Sequence, residues 1–586
     1  MKKYISLFLI TALTFSLVGC SPNQSQVQKE FDSFVLKDLK ESVEDDYSTY
    51  HIYFENPEKY GFEKENVDID FGEVFNDENY DDIREKIDEF QKELSQFDRD
   101  LLNETQQDIY DQMTFDLSVA KEYSDEKFEY MYNYFEPMKG VHYSFESFFA
   151  DFKMRNEEDV KDYIQLMKSF KPYINDILEY TKIQADKGLM RIDFEEVLDR
   201  VDNILKLKDQ SSILKQALTH IEELKLSDQK TKDYQKQVKD VFVESYLGAM
   251  KNIKKTLNEL KTQKNNKEGL AKLKNGKEYY EILYKKAMGN DRSVEDMKKL
   301  LNNYAKEAFM KMMKIQMDNP TVYEDIRKME TKYTDYKSIL KDLNESIKND
   351  FPSFGDIDYN IKSLSKDLAN PGIAAYFNIP ALDSTQPREM FVNANKYEDS
   401  PSSGNTKSIS TFQTVAHEGI PGHMYQYDHY YRSQESNWLK LQGNLGFVEG
   451  YATYVETQVL NYLSDEISQD VLDYYNYESI YINCIVALFD IAIHYDGLSH
   501  DEAMDFLKQN GLAASEELYQ QIQANPVAFI PYYAGYVEIM ELRKKAESEL
   551  GNKFNALDFH KALLKTGSVC YDIIEKDIQD YIDETK

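Results

Sequence analysis

The chain has 586 residues, with 105 Asp and Glu against 70 Lys and Arg, for a net charge of −35. That balance lacks the basic footprint that a nucleic-acid backbone requires, so no nucleic-acid partner is expected. Hydrophobic residues at 41% and charged ones at 30% indicate a folded chain with room for a large core, and its 22 Gly and 13 Pro favour long helices over turn-rich sandwiches or barrels.

Residues 1–20 open with Met1-Lys2-Lys3, run through an apolar stretch from Tyr4 to Val18 and end in Gly19-Cys20. The apolar stretch is shorter than the roughly 20 residues of a spanning helix and follows a positive start, the pattern of a secretory signal. Leu17-Val18-Gly19-Cys20 resembles a bacterial lipobox, which implies lipid on Cys20 and a body held on the extracytoplasmic face of the cell membrane. An ordinary signal peptide or an uncleaved anchor is the alternative. No later segment reads as apolar and uncharged enough to span a bilayer. Three cysteines are too few for a disulfide framework, and Cys484 and Cys570 read as buried thiols.

Residues 21–30 are polar and read as a flexible tether. From 31 to 350 the chain reads as successive amphipathic helices: Val160, Tyr163, Ile164, Met167 and Phe170, then Ile174, Ile177 and Leu178, recur at helical steps. Composition shifts at Phe351. Prolines and glycines interrupt residues 352–410, where Ile373–Ile379 and Glu389–Asn393 are strand candidates forming a small β-ribbon. Helical character returns near Ser408, so residues 351–586 make a second region, which with the first forms one mainly α fold around a cleft. Six of nine histidines lie after residue 410.

The sharpest local signal is His417-Glu418-Gly419-Ile420-Pro421-Gly422-His423. Two histidines flanking a glutamate suit zinc with a neighbouring base when they stand four apart on one helix face. Here the spacing is six, or about 240° on an ideal helix, which aims the rings apart. Pro421 lacks an N–H and Gly422 is conformationally free, so a local bulge absorbing the extra residues would restore the contact. The other possibility is a helix ending at Ile420, with two unrelated histidines around a turn. A second segment favours metal. Leu445–Glu456 reads as a helix with Glu449 and Glu456 seven apart on one face, bordered by large apolar residues. Buried carboxylates need partners. A metal would satisfy Glu449, and Glu456 could orient a ligating imidazole. Salt bridges or a solvated stripe are the plain alternative.

His-Glu-Gly-Ile-Pro-Gly-His at 417–423, with Phe-Val-Glu-Gly-Tyr-Ala at 447–452, resembles the bacterial family catalogued as domain of unknown function 885 over nearly the whole mature chain. That resemblance implies kinship with glutamate-zincin metallopeptidases and a large helical fold like neurolysin and the thermostable carboxypeptidases. Departures are Met424 where the family has a second histidine, Tyr451 for Trp, and a stretch before His494 that lacks the usual Arg and Gly.

The expectation is therefore a membrane-anchored, extracytoplasmic zinc peptidase with one Zn²⁺ per chain on His417, His423 and Glu449 and with Glu418 as general base. Tyr532, His494 and His560, from family-like segments, are candidates to stabilise the oxyanion. An exposed strand edge would hold a peptide substrate, with Tyr376, Phe377, Tyr451 and Tyr532 as walls and Arg543 facing a substrate carboxylate. The alternative is a non-catalytic, lipid-anchored helical binding protein whose metal site is structural or lost.

Overall fold

The computed structural model describes residues 23–77, 79–137, 139–353, 355–364, 374–393 and 406–586. Cys20 and the signal segment lie outside them. The chain forms two compact units, one of residues up to Gln107 with Asp116–Lys267 and one of Asp108–Phe115 with Glu268–Lys586. The break at 267/268 comes well before the compositional change at Phe351, which marks the entry to the strands instead.

In the first unit, helix α1 spans Gln24–Glu44, started by the Asn23 side chain accepting from the Ser25 N–H at 3.2 Å. The stretch expected to be a tether to residue 30 is thus helical from Gln24, and Phe31 and Phe34 anchor it in the core. Helix α2, Glu157–Lys187, buries every apolar position that the helical period picks out between Val160 and Leu178.

The second unit carries α3 (Gly276–Met288), α4 (Val294–Asp318) and α5 (Val322–Lys328), then a three-stranded sheet. Its strands are β1 (Tyr359–Ser363), β2 (Ala375–Asn378) and β3 (Arg388–Val392), in the order β1-β3-β2. β3 runs parallel to β1, with Tyr359 opposite Arg388, and antiparallel to β2, with Tyr376 opposite Phe391. Both expected strands are present, but Glu389–Asn393 belongs to the central strand and offers no free edge. The unanticipated β1 covers it. Asn393 N–H donates to Ala374 O at 2.9 Å. By the alternation of an antiparallel ladder, the main-chain groups of Ala375 and Phe377 then point away from β3, to the outer edge of β2.

Helices α6 (Ile409–Glu418), α7 (His423–Ser433), α8 (Leu445–Gln458), α9 (Gln469–His494), α10 (Ile530–Leu550) and α11 (Ala556–Leu563) follow. By length and composition α9 could cross a membrane, contrary to the sequence expectation, yet Cys484–His494 are buried throughout, the mark of a core helix. α8 crosses α10 at glycines. A Cβ on Gly450 would lie 2.5 Å from Gly535 C, and one on Gly535 2.1 Å from Gly446 O. Backbones this close bring the residues flanking these glycines together.

Candidate metal centre

α6 stops at Glu418 and α7 restarts at His423, so the extra residues form a corner between two helices instead of a bulge within one. The corner is self-bonded. Gly422 N–H reaches Ala416 O at 2.9 Å and Tyr425 N–H reaches Gly419 O at 3.1 Å. Gly422 is required by space, because a Cβ there would sit 1.9 Å from His417 O. The Tyr451 hydroxyl donates to Pro421 O at 2.9 Å and ties the corner to α8. The turn folds the His423 ring against that of His417, centroids 4.7 Å apart and perpendicular.

α8 supplies the third group. Glu449 Oε2 lies 3.5 Å from His417 Nε2 and 3.3 Å from His423 Nε2, and the three donor atoms fall within 4.8 Å of one another. This oxygen is buried and makes no hydrogen bond. Two imidazole nitrogens and one carboxylate oxygen converging on a common point, with that oxygen unsatisfied, fit a zinc ion. One turn pair further along α8, Glu456 Oε1 lies 2.7 Å from His417 Nδ1, which fixes that ring's tautomer and leaves Nε2 facing Glu449. Gln413 Nε2 donates to Glu456 O at 3.1 Å, and the Tyr475 hydroxyl donates to Gln413 Oε1 at 3.0 Å.

The electrostatics follow from burial and these contacts. Burial opposes a charged His417, but Glu449 and Glu456 outweigh it and hold its pKa well above the usual value. Burial likewise opposes ionisation of Glu449, and His423 and His417 overcome it, so the carboxyl stays well below its usual range. Glu418 differs. Desolvation prevails over the two histidines and raises its pKa. Its Oε2 accepts the Phe377 N–H at 2.9 Å from the outer edge of β2, while Oε1 lies 4.0 Å from His417 Nε2.

Tyr532, in the first turn of α10, lies nearly parallel to the His417 ring at 6.2 Å, and burial with Glu449 and Glu418 nearby pushes its hydroxyl pKa far up. The glycine crossing of α8 and α10 places it there. Thus His417, His423, Glu449, Glu418, Glu456 and Tyr532 are brought together.

Several other expected site residues are engaged elsewhere. His494 is wholly buried, Nδ1 accepting from Leu270 N–H at 3.1 Å and Nε2 meeting Ile522 O at 2.9 Å, so it fastens the core. His560 stacks on Phe351 at 3.9 Å, with Nδ1 2.6 Å from Asp350 O and Nε2 2.7 Å from the Tyr454 hydroxyl. Arg543 donates to the Tyr454 hydroxyl, to Gln458 Oε1 at 2.8 Å and to Glu547 Oε1 at 2.8 Å, which commits it within the helical layer and not to a substrate carboxylate. Tyr451 is fully buried and holds the corner, so it forms no substrate wall. Phe377 is buried against Tyr427 and contributes its backbone rather than its ring. Tyr376 remains half-buried, stacked on Phe391 at 5.0 Å. Sequence reasoning missed the Phe377 N–H, Gln413 and Tyr475. A backbone donor leaves no side-chain signature, and the two side chains carry no motif. Cys484 and Cys570 are buried, as expected.

The fold and these motifs define a family. The chain belongs to the bacterial proteins of unknown function grouped as domain of unknown function 885, whose model matches residues 61–578. No curated protein matches it. Among solved structures it is similar to a candidate lipoprotein from Colwellia psychrerythraea, at TM-score 0.79 and 15% identity over 95% of this chain and 99% of that one. A candidate lipoprotein of unknown function from Shewanella oneidensis matches at TM-score 0.63 and 16% identity, over 95% and 99% of the two chains. Metallocarboxypeptidase 1 of Trypanosoma cruzi aligns at TM-score 0.36 and 9% identity over 96% and 98%.

Proposed function

We propose that the protein is a zinc-dependent peptidase, anchored through lipid on Cys20 to the extracytoplasmic face of the cell membrane. One observation carries the catalytic reading. A second acid, Glu418, stands beside the three-donor cluster without joining it, its Oε2 held by the Phe377 N–H and its Oε1 turned to the cluster. A closed structural site has no use for such a base, whereas a catalytic site with three protein ligands keeps one position open and needs one.

His417, His423 and Glu449 would hold the zinc, which when bound would supply a Lewis acid able to acidify water and polarise a carbonyl. Glu418 takes up a proton at Oε1, its other oxygen being occupied, and hands it to the departing amine. The Tyr532 hydroxyl, next to Glu449, would donate to the oxyanion of the substrate. Glu456 keeps His417 in one tautomer. The outer edge of β2, with its Ala375 main-chain groups free of β3, is where an extended peptide would align.

The test is zinc content and hydrolysis of a mixed peptide pool by the full chain. About one zinc per chain, lost in His417→Ala and Glu449→Ala but kept in Glu418→Gln together with loss of turnover, supports the reading. Full turnover in Glu418→Gln would end it, and zinc without turnover in the unmodified protein would favour the non-catalytic binding protein.

A further inference from the structure

The outer face of α4 is apolar where a water-facing helix should be polar. Phe309 is 48% exposed, Met310 61%, Met313 41% and Met317 70%, and these four fall within an arc of about 100° on the helix. Tyr323 on α5 (45%) and Ile482 on α9 (38%) are also exposed, and the Phe309 ring contacts Tyr481 at 5.8 Å. Met312 and Ile315, partly buried, root the ridge on Val322, Val471 and Tyr474. Contiguous exposed apolar side chains of this size mark an interaction surface.

The charge around the ridge selects the occupant. Residues 306–317 hold Lys306, Lys311 and Lys314 against one acid, Glu307, in a chain of net charge −35. Glu307 is itself met by Lys311 at 2.8 Å and Lys544 at 3.6 Å. Lys306 and Lys314 are exposed beside the methionines. Two copies pairing ridge to ridge would press like-charged lysines together. An anionic bilayer surface instead offers headgroups to the lysines and an acyl boundary to the thioethers, and long lysine stems can lie along apolar surface while their charges reach the headgroups.

We propose that this face of α4 seats on an anionic phospholipid surface. A lipid on Cys20 would bring the protein to the bilayer, and the ridge sets which face of the second unit meets it. The proposal is independent of the peptidase reading.

The experiment places a reporter in the ridge of the full chain by Met313→Trp, read as the difference from the unmodified protein, whose sole tryptophan, Trp438, is buried. Vesicles of equal parts phosphatidylglycerol and dibrominated phosphatidylcholine at physiological salt should shift the emission of the introduced indole to the blue and quench it. Adding Lys306→Glu and Lys314→Glu should raise the lipid needed by about tenfold or more. All three positions are exposed, so the melting curve should not move. Three outcomes overturn the proposal: no lipid-dependent change, an equal response on purely zwitterionic vesicles, or a blue shift that grows with protein concentration and ignores lipid, the mark of a second copy.

Discussion

Glu456 Oε1 lies 2.7 Å from Nδ1 of His417, and Glu449, seven residues earlier on the same helix face, meets Nε2 of the same ring at 3.5 Å. One rigid helix therefore holds both ends of one imidazole. Its two carboxylates differ in what they can lose.

Replacing Glu456 by Ala should free the His417 ring and weaken zinc binding about 10–100-fold, with Glu456→Gln, which keeps an acceptor, losing less. Competition against a fluorescent chelator measures it. Equal affinity in all three proteins would show that α8 does not orient the ring.

How far this site could be read in the sequence depends on what kind of contact each part is. Glu449 and Glu456 share one helix, so the periodicity places them on one face without any knowledge of the fold. His417 and His423 meet across a helix end, and a spacing of six cannot distinguish a bulge, a corner or a chance pair. The corner depends on Gly422 lying against His417 O and on Tyr451 reaching Pro421 O, both settled by packing. Tyr532 comes to Glu449 because Gly446, Gly450 and Gly535 let two helices touch, a contact 85 residues apart in the chain between Gly450 and Gly535. The short strands at 375–378 and 388–392 were legible from their apolar runs, but their order was not. Which strand is central depends on β1, whose Tyr359–Ser363 segment has an ordinary composition.

Gly422→Ala should open the corner. The added Cβ meets His417 O and Ala416 O, both backbone atoms that cannot swing aside. A cost of about 1–3 kcal/mol from overpacking is expected, together with loss of zinc as the two rings separate. Calorimetry and metal content would check it, and Gly248→Ala, where the added Cβ meets only the flexible Lys171 side chain, controls for the substitution itself.

Phe377→Pro removes the N–H that Glu418 Oε2 accepts. This donor points to the outer edge of β2, a position where proline leaves the ladder to β3 intact. Zinc content should persist and peptide turnover should fall about tenfold or more, while Phe377→Leu, which keeps the donor, should stay near the unmodified rate. Proline at Phe391 is a poorer test, since that residue lies between two strands and proline there would remove a ladder hydrogen bond and destabilise the sheet itself. Equal turnover in Phe377→Pro and Phe377→Leu would remove the strand from the account of the base.

His560 makes stability depend on pH. Burial lowers its pKa to about 3 from an ordinary value near 6.5, with a smaller push from Arg543 and an opposing one from its bond to Asp350 O. The folded ring is therefore neutral across the range in which the unfolded chain takes up a proton. Below about pH 6.5 the unfolded state binds more protons, so stability is full above that value and declines as pH falls towards 3, at up to about 1.4 kcal/mol per pH unit. Over pH 6.5 to 5 the loss attributable to this residue is about 2 kcal/mol. His560→Gln retains a donor for Asp350 O and an acceptor for the Tyr454 hydroxyl but cannot titrate. Other buried histidines, His51 and His429, are held down to about 3 and about 4 by burial and will steepen the acid side in both proteins. The difference between the two proteins isolates His560. Urea unfolding of each at pH 7 and pH 5 should show the smaller decline in the glutamine variant, and parallel declines would mean that the folded ring accepts its proton as readily as the unfolded one.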